Sequence, residues 1–168
     1  MNVIFSRRSI RRYKSVQLTS EQVELLLKAA MCAPSARNER PWEFIVVDDR
    51  SILDKISETH PYAKMLRTAP CAIIICALPG KSPGFSDAYF PQDCAAATQN
   101  ILLQAASMGL GSVWCGVYPR EDRIKGINEI FHLPSDVIPF NVIAIGHPDE
   151  VPKPMEKYDP KIIHHNKW

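Results

Sequence analysis

Stretches with helical spacing alternate along this chain with short apolar runs, and that alternation predicts a layered sandwich of helices on a sheet. Two further observations point the same way. Cys71 to Leu78 is a run of eight apolar residues between Pro70 and Pro79, the mark of a strand buried on both faces. The 168 residues, 46% hydrophobic and 23% charged, suit one globular domain spanning residues 1–168, long enough to bury a core without disulfide or metal staples. The alternation leaves open whether the strands run parallel.

The elements follow in order. Were Arg7 to Tyr13 helical, Arg7 would share a face with Arg11, and Arg8 with Arg12. Leu18-Thr19-Ser20-Glu21-Gln22-Val23 starts a helix, with Thr19 as cap and Gln22 reaching back. Val23, Leu26, Leu27, Ala30 and Met31 form its buried stripe, and Pro34 ends it. Met31 and Trp42 are expected in the core. Trp42 to Val47 reads as a strand, and Asp49 or Ser51 opens a second helix with Ile52, Leu53 and Ile56 inward. After the Cys71–Leu78 strand, the Pro- and Gly-rich residues 79–91 read as a long loop. Asp93 is placed to cap a central helix over about 94–108, ended by Gly109 and Gly111. Ser112 to Val117 is a strand, Pro119 opens a helix through Phe131, and Val137 to Ile145 is the last strand. The final 20 residues have no helical period, and six of the 14 prolines lie after residue 133. They read as an arm, about 150–168, that leaves the globule.

Charge and cysteine usage bound the function. Twenty Lys+Arg against 18 Asp+Glu give +2, too balanced for a dedicated nucleic-acid binder. The imbalance is local: residues 1–20 hold five basic residues and no acidic one, which leaves 15 basic against 18 acidic elsewhere, net −3. Cys32, Cys71, Cys76, Cys94 and Cys115 form no C-x-x-C pair or metal-ligand spacing, so reduced thiols in a cytoplasmic protein are expected. Cys94 to Pro119 carries no charge over 26 residues, but its Thr, Gln, Asn and Gly residues suit a buried helix and strand rather than a membrane span. The start of the chain lacks the apolar core of a signal peptide. His164-His165 looks like a metal pair, yet adjacent residues of an extended arm point apart, and no metal is expected.

Three constellations carry chemistry. Arg7-Arg8-Ser9-Ile10-Arg11-Arg12-Tyr13 places four guanidiniums and a hydroxyl together, a set suited to phosphate as well as to a solvated basic surface. Ala33-Pro34-Ser35-Ala36-Arg37-Asn38-Glu39-Arg40-Pro41-Trp42 joins helix to strand with small and polar residues that let backbone approach a flat ligand. Gly109-Leu110-Gly111-Ser112-Val113-Trp114-Cys115-Gly116 has Trp114 where a dinucleotide fingerprint needs glycine, so it is no Rossmann turn. Gly116 permits close approach of a ligand to strand backbone.

In this order, with Asp93 before the uncharged helix, Ile145-Gly146-His147-Pro148 and the closing His164-x-Asn166-x-Trp168, these segments resemble the nitroreductase family of flavoproteins over nearly the whole chain. The resemblance implies an α+β three-layer sandwich, its central mixed and mainly antiparallel sheet flanked by helices, in an intertwined homodimer with FMN at the subunit interface. It implies Arg7 and Ser9 on the phosphate with Arg8 beside them, and Arg11 near the pyrimidine edge of the ring. Pro34, Ser35, Ala36 and Asn38 would approach from the partner, and Cys115 and Gly116 would present backbone near N5. The arm would embrace the partner. No side-chain nucleophile is needed, since such a protein supplies position and electrostatics; Arg11 would stabilise negative charge as the flavin is reduced.

The implied activity takes hydride from NADH or NADPH and reduces a nitroaromatic, quinone or similar small-molecule acceptor by a ping-pong course. A flavin store or redox sensor would use the same binding residues. Two departures stand out. Where relatives often carry Lys-x-Arg before the arm, this chain has Met155 and Lys157, with Lys153 nearby. Where they commonly have Gln before Pro-Trp, it has Arg40. Cys115 is expected as a small strand residue beside the flavin rather than a redox thiol. Phe85, Tyr89 and Phe90 could equally roof the site or pack in the core.

Overall fold

The helices begin where local capping chemistry puts them. In the computed structural model, which describes residues 2–81, 86–153 and 155–168, helix α1 is Val3–Ser6 and α2 is Ser20–Met31. At α2 the Gln22 N–H donates to Thr19 Oγ1 at 3.2 Å while the Thr19 N–H donates to Gln22 Oε1 at 2.9 Å, the reciprocal box expected. The Asp49 carboxylate likewise accepts from the Ser51 and Ile52 N–H groups to start α3, Arg50–Thr59. Helices α4 (Ser86–Ser107) and α5 (Glu121–Phe131) complete the set.

Strands β1 (Trp42–Val47), β2 (Cys71–Ala77), β3 (Gly111–Gly116) and β4 (Ile138–Gly146) form one sheet in the order β1-β2-β4-β3. Every neighbouring pair is antiparallel, which settles the question that the alternation left open. The two-residue period divides the core. Ala72, Ile74, Cys76, Val142 and Ala144 face Leu53, Ile56 and Ile127 of α3 and α5. Ile73, Ile75, Ala77, Ile143 and Ile145 face Leu26, Ala30, Ala97 and Ile101 of α2 and α4. Helices thus cover both faces, and β2 is buried along its whole length as its composition requires.

Five local expectations are corrected. Arg7 to Tyr13 is not helical: the chain turns extended after α1, Ser9 bridging Ser112 in parallel and Tyr13 bridging Pro148. The edge of β3 offers unpaired backbone groups there, and the Ile10 N–H takes the Ser112 carbonyl at 3.0 Å. Second, α4 starts at Ser86 rather than near 94, so the loop after β2 is shorter than expected. Pro91 costs the helix one hydrogen bond, but Phe90 is already buried against the Tyr118 ring, and that packing prevails. Third, Asp93 therefore lies inside α4 and serves another segment. Fourth, Met31 is 54% exposed in the chain, because α2 buries Leu26 and Ala30 and turns Met31 into an open hollow with Trp42 and Arg40. Trp42 itself is buried. Fifth, Pro119 precedes α5 by two residues, in the turn rather than in the helix.

Beyond β4 the described residues make a 3₁₀ turn, Pro160–Ile162, and form no further helix or strand. Its apolar residues find little cover within the chain: Val151 is 96% and Trp168 102% exposed. Among the described residues, no helix is long and apolar enough to cross a membrane.

Candidate functional site

A cleft of about 480 Å³ opens beside the end of β3. Arg11, Tyr62, Trp114, Cys115, Gly116 and Arg123 line it. Its floor is bare backbone, since a β-carbon at Gly116 would meet nothing within 4 Å. Arg11 reaches this cleft because its segment is stitched to the sheet. Glu150 Oε1 accepts the Arg11 N–H at 2.5 Å and the Arg12 N–H at 3.2 Å, and the Asp149 N–H donates to the Arg12 carbonyl at 2.9 Å.

The floor is tied to its surroundings by a closed set of bonds. The Cys115 thiol donates to the Tyr62 carbonyl, Sγ to O 3.3 Å. The Tyr62 N–H donates to His60 Nδ1 at 3.2 Å, and His60 Nε2 donates to the Gly116 carbonyl at 2.9 Å. Arg123 Nη1 donates to that same carbonyl at 2.8 Å, with its guanidinium 5.1 Å from the centre of the Tyr62 ring. Burial pushes the Cys115 thiol up to about 11, partly opposed by Arg11 and Arg123, so it is a neutral thiol near neutral pH and no nucleophile. Burial also pulls the His60 imidazole below its ordinary value, with the Arg123 charge acting in the same direction.

A second hollow of about 700 Å³ brings Arg7, Arg8 and Lys157 together beside Met155. Arg8 is half-buried, and its guanidinium donates to the Phe5 and Arg7 carbonyls at 2.8 Å each and to the Met155 carbonyl at 3.3 Å. It fastens the start of the arm to α1, while its buried Nε has no hydrogen-bond partner among the described residues. Ser9 is exposed, its backbone engaged with Ser112.

Pro34, Ser35, Ala36 and Asn38 line neither hollow. They form a tight turn with a 3₁₀ segment at Ala36–Asn38, and Arg37, Asn38 and Arg40 all have positive φ (52°, 59° and 49°). Three such non-glycine residues in one loop need outside support. Asp93, buried in α4, accepts the Ala36 N–H at 3.0 Å, and Ser35 Oγ accepts the Arg40 N–H at 2.9 Å. Pro34 and the Asn38 amide remain exposed. Arg40 is exposed beside Trp42. Phe90 is core, Tyr89 is partly exposed, and Phe85 lies outside the described residues.

The sequence reading missed His60, Tyr62, Arg123 and Glu150. His60 and Gly116 lie 56 positions apart, and only the fold brings them together. Pro61 after a histidine at a helix end was the sole local signal. The residues present fit a flat ring with an anionic tail: open strand backbone at Gly116 with Arg11 in the same cleft, and Arg7 with Lys157 in the second hollow.

Comparison with known proteins gives a consistent result. The profile of the nitroreductase family matches residues 4–60 and 57–147. A protein of Methanothermobacter thermautotrophicus, named as a candidate NADH dehydrogenase/NAD(P)H nitroreductase, is 51% identical over 170 residues, covering 100% of this chain and 87% of that protein. A solved structure of a candidate NADH oxidase from Clostridium acetobutylicum superimposes with a TM-score of 0.94 at 47% identity over 99% of each chain. An FMN-dependent nitroreductase from Clostridium difficile R20291 superimposes with a TM-score of 0.91 at 36% identity, again over 99% of each.

Proposed function

The chain belongs to the nitroreductase family, and from that premise we propose that it is an FMN-dependent oxidoreductase using NADH or NADPH to reduce a nitroaromatic, quinone or similar acceptor. One observation carries the reading: a single cleft joins a cationic residue, Arg11, to Cys115 and to the open backbone face of Gly116. FMN, when bound, supplies the two-electron chemistry between nicotinamide and acceptor. The chain supplies position and charge. Arg11 stabilises negative charge that develops at the edge of the ring. Cys115 and Gly116 offer a backbone surface close enough for a flat ring because neither lays a bulky side chain over it. Arg7, Ser9 and Lys157 hold the phosphate, and Lys157 stands in for the basic pair that Met155 breaks. Arg8 holds the arm beside them. Donor and acceptor use the same cleft in turn, which gives ping-pong kinetics.

The working unit in this reading is a homodimer in a reducing cytoplasm. A second copy brings Pro34, Ser35 and Asn38, which the chain holds in a strained, exposed turn away from its own cleft. The exposed apolar arm, including Val151 and Trp168, embraces that copy. The five free cysteines suit the compartment.

The test is an anaerobic absorption titration of the purified protein. A flavin band that bleaches with NADH or NADPH and returns with a quinone or nitroaromatic is the expected result. A band that neither nucleotide bleaches would turn the reading to a flavin store or sensor. Absence of a band even after FMN is added would overturn it.

A further inference from the structure

His60 is a buried polar group that does not line the cleft yet hydrogen-bonds to two residues that do. It is 1% exposed, at the end of α3. Its hydrogen bonds fix its chemical form. The Tyr62 N–H can only donate, so His60 Nδ1 must accept at 3.2 Å; the Gly116 carbonyl can only accept, so Nε2 must carry the proton at 2.9 Å. The neutral Nε2–H tautomer alone satisfies both. A satisfied core histidine usually joins two parts of a core. This one joins Gly116, on the floor of the cleft, to Tyr62, which is 68% exposed at its rim.

We propose that His60 is a positioning residue of this site, holding the peptide after Gly116 and the backbone of Tyr62 in one fixed relation so that floor and rim are set together. The proposal rests on the reading of the cleft as the FMN and substrate site. Two side chains reinforce the frame without replacing it: Arg123 donates to the Gly116 carbonyl and lies over the Tyr62 ring, and the Cys115 thiol donates to the Tyr62 carbonyl. Protonation of His60 would turn an N–H at Nδ1 against the Tyr62 N–H and break the rim link alone. The charged groups bearing on the imidazole are Arg123, which opposes protonation, and Asp122, which favours it, both on α5. Lys64, in the turn after Tyr62, is held at the Ser57 carbonyl. Burial moves the titration of the ring below its ordinary value of 6.5, so rim loosening belongs to the acid side of that value.

Two substitutions separate the links. His60→Gln places an amide near the Nε2 position and retains the floor donor, and His60→Asn places an amide oxygen near Nδ1 and retains the rim acceptor. Loss of one neutral hydrogen bond predicts changes of about fivefold to tenfold. For H60Q the expected result is an unchanged FMN dissociation constant with KM for nicotinamide or acceptor raised by about that factor. For H60N it is FMN bound more weakly by about that factor, with a shifted flavin absorption band. In the wild type, KM rises below the titration of His60, and neither variant shows that rise. Amide NMR shifts of Tyr62 and Val117, whose N–H shares the Gly116 peptide, are read with and without FMN. Both are expected to move when His60 titrates. If H60N fails to fold, H60Q and the wild-type pH series carry the test. Variants with wild-type KM, FMN affinity and pH profile would overturn the proposal. A wild type that binds no FMN, yet whose two amides shift together as His60 titrates, would overturn the functional reading and leave the coupling standing.

Discussion

Ile10 occupies the space that any side chain at residue 111 would need: a β-carbon on Gly111 would lie 2.7 Å from both Ile10 Cβ and Cγ2. This contact lets the N-terminal segment lie directly on β3 and so brings Arg11 to the cleft. At the other end of β3 the situation is reversed, since a β-carbon at Gly116 would enter open space. Two glycines in one strand therefore do different things. One admits a piece of the chain, and the other leaves room for a ligand.

Gly111→Ala must push Ile10 and its strand outward, because the atom met is a branched β-carbon rather than a flexible tip. The expected cost is about 1–3 kcal/mol in urea denaturation, with weaker FMN binding alongside. Gly116→Ala is expected to leave the urea midpoint near wild type while weakening FMN binding. Equal stability losses in the two variants would contradict this division.

Glu150 holds the same segment from the other side through the Arg11 and Arg12 N–H groups. Glu150→Ala leaves both donors to water. Because the site is partly exposed, the loss should be about 1 kcal/mol, read as roughly fivefold weaker FMN binding by equilibrium titration. Glu150→Gln keeps a weaker acceptor and should fall between. An alanine variant with wild-type affinity would show that Arg11 needs no such anchor.

These dependences mark the limit of what the chain discloses in one dimension. The Thr19–Gln22 box, the Asp49 cap and the strand Trp42–Val47 were legible because each is decided within a few residues. Arg7, Arg8 and Lys157 were named by resemblance, and the fold does bring them to one hollow; the open backbone at Gly116 was read from a glycine within a strand. Asp93 was read as a cap for its own helix, yet its partner is the Ala36 N–H, 57 positions away. The Arg7–Tyr13 segment was open to a helical reading because nothing local reveals that the β3 edge is there to pair with. His60, Arg123 and Glu150 act only through residues that the sheet order brings beside them.

Buried thiols make stability depend on alkaline pH. Burial pushes Cys115 up to about 11 and Cys71 and Cys76 up to about 12, from an ordinary 9.0, and Cys94 moves the same way. Below pH 9 both folded and unfolded chains keep these protons, so stability is flat in this respect. Above it the unfolded chain loses them first, and stability falls by about 1.4 kcal/mol per pH unit for each thiol until its folded value is reached. The buried Tyr13 phenol, also pushed up by burial, adds to the fall above its ordinary 10.0. Urea midpoints measured from pH 8 to about 10.5 should decline, and Cys71→Ala should reduce the slope by one proton's worth. A flat profile would mean that these thiols ionise in the folded protein.

A site shared between subunits makes a prediction that no single-chain site can match. Asn38 sits at φ 59°, where glycine is equally at ease, so Asn38→Gly removes the amide without straining the turn. Arg11→Gln removes the charge at the cleft. In the proposed homodimer, where Arg11 of one chain would meet Asn38 of the other, each variant alone carries its lesion in both sites. When the two are unfolded and refolded together, chains of both kinds meet. A mixed dimer then has one site with both lesions and one with neither, because Arg11 comes from one chain and Asn38 from the other. With random pairing, about a quarter of all sites should regain wild-type properties. The measurement is NAD(P)H oxidation by the mixture against the average of the separate variants. Recovery above that average requires a composite site, and its absence, in a mixture shown by mass spectrometry to contain mixed dimers, would place Asn38 in the same site as the Arg11 of its own chain.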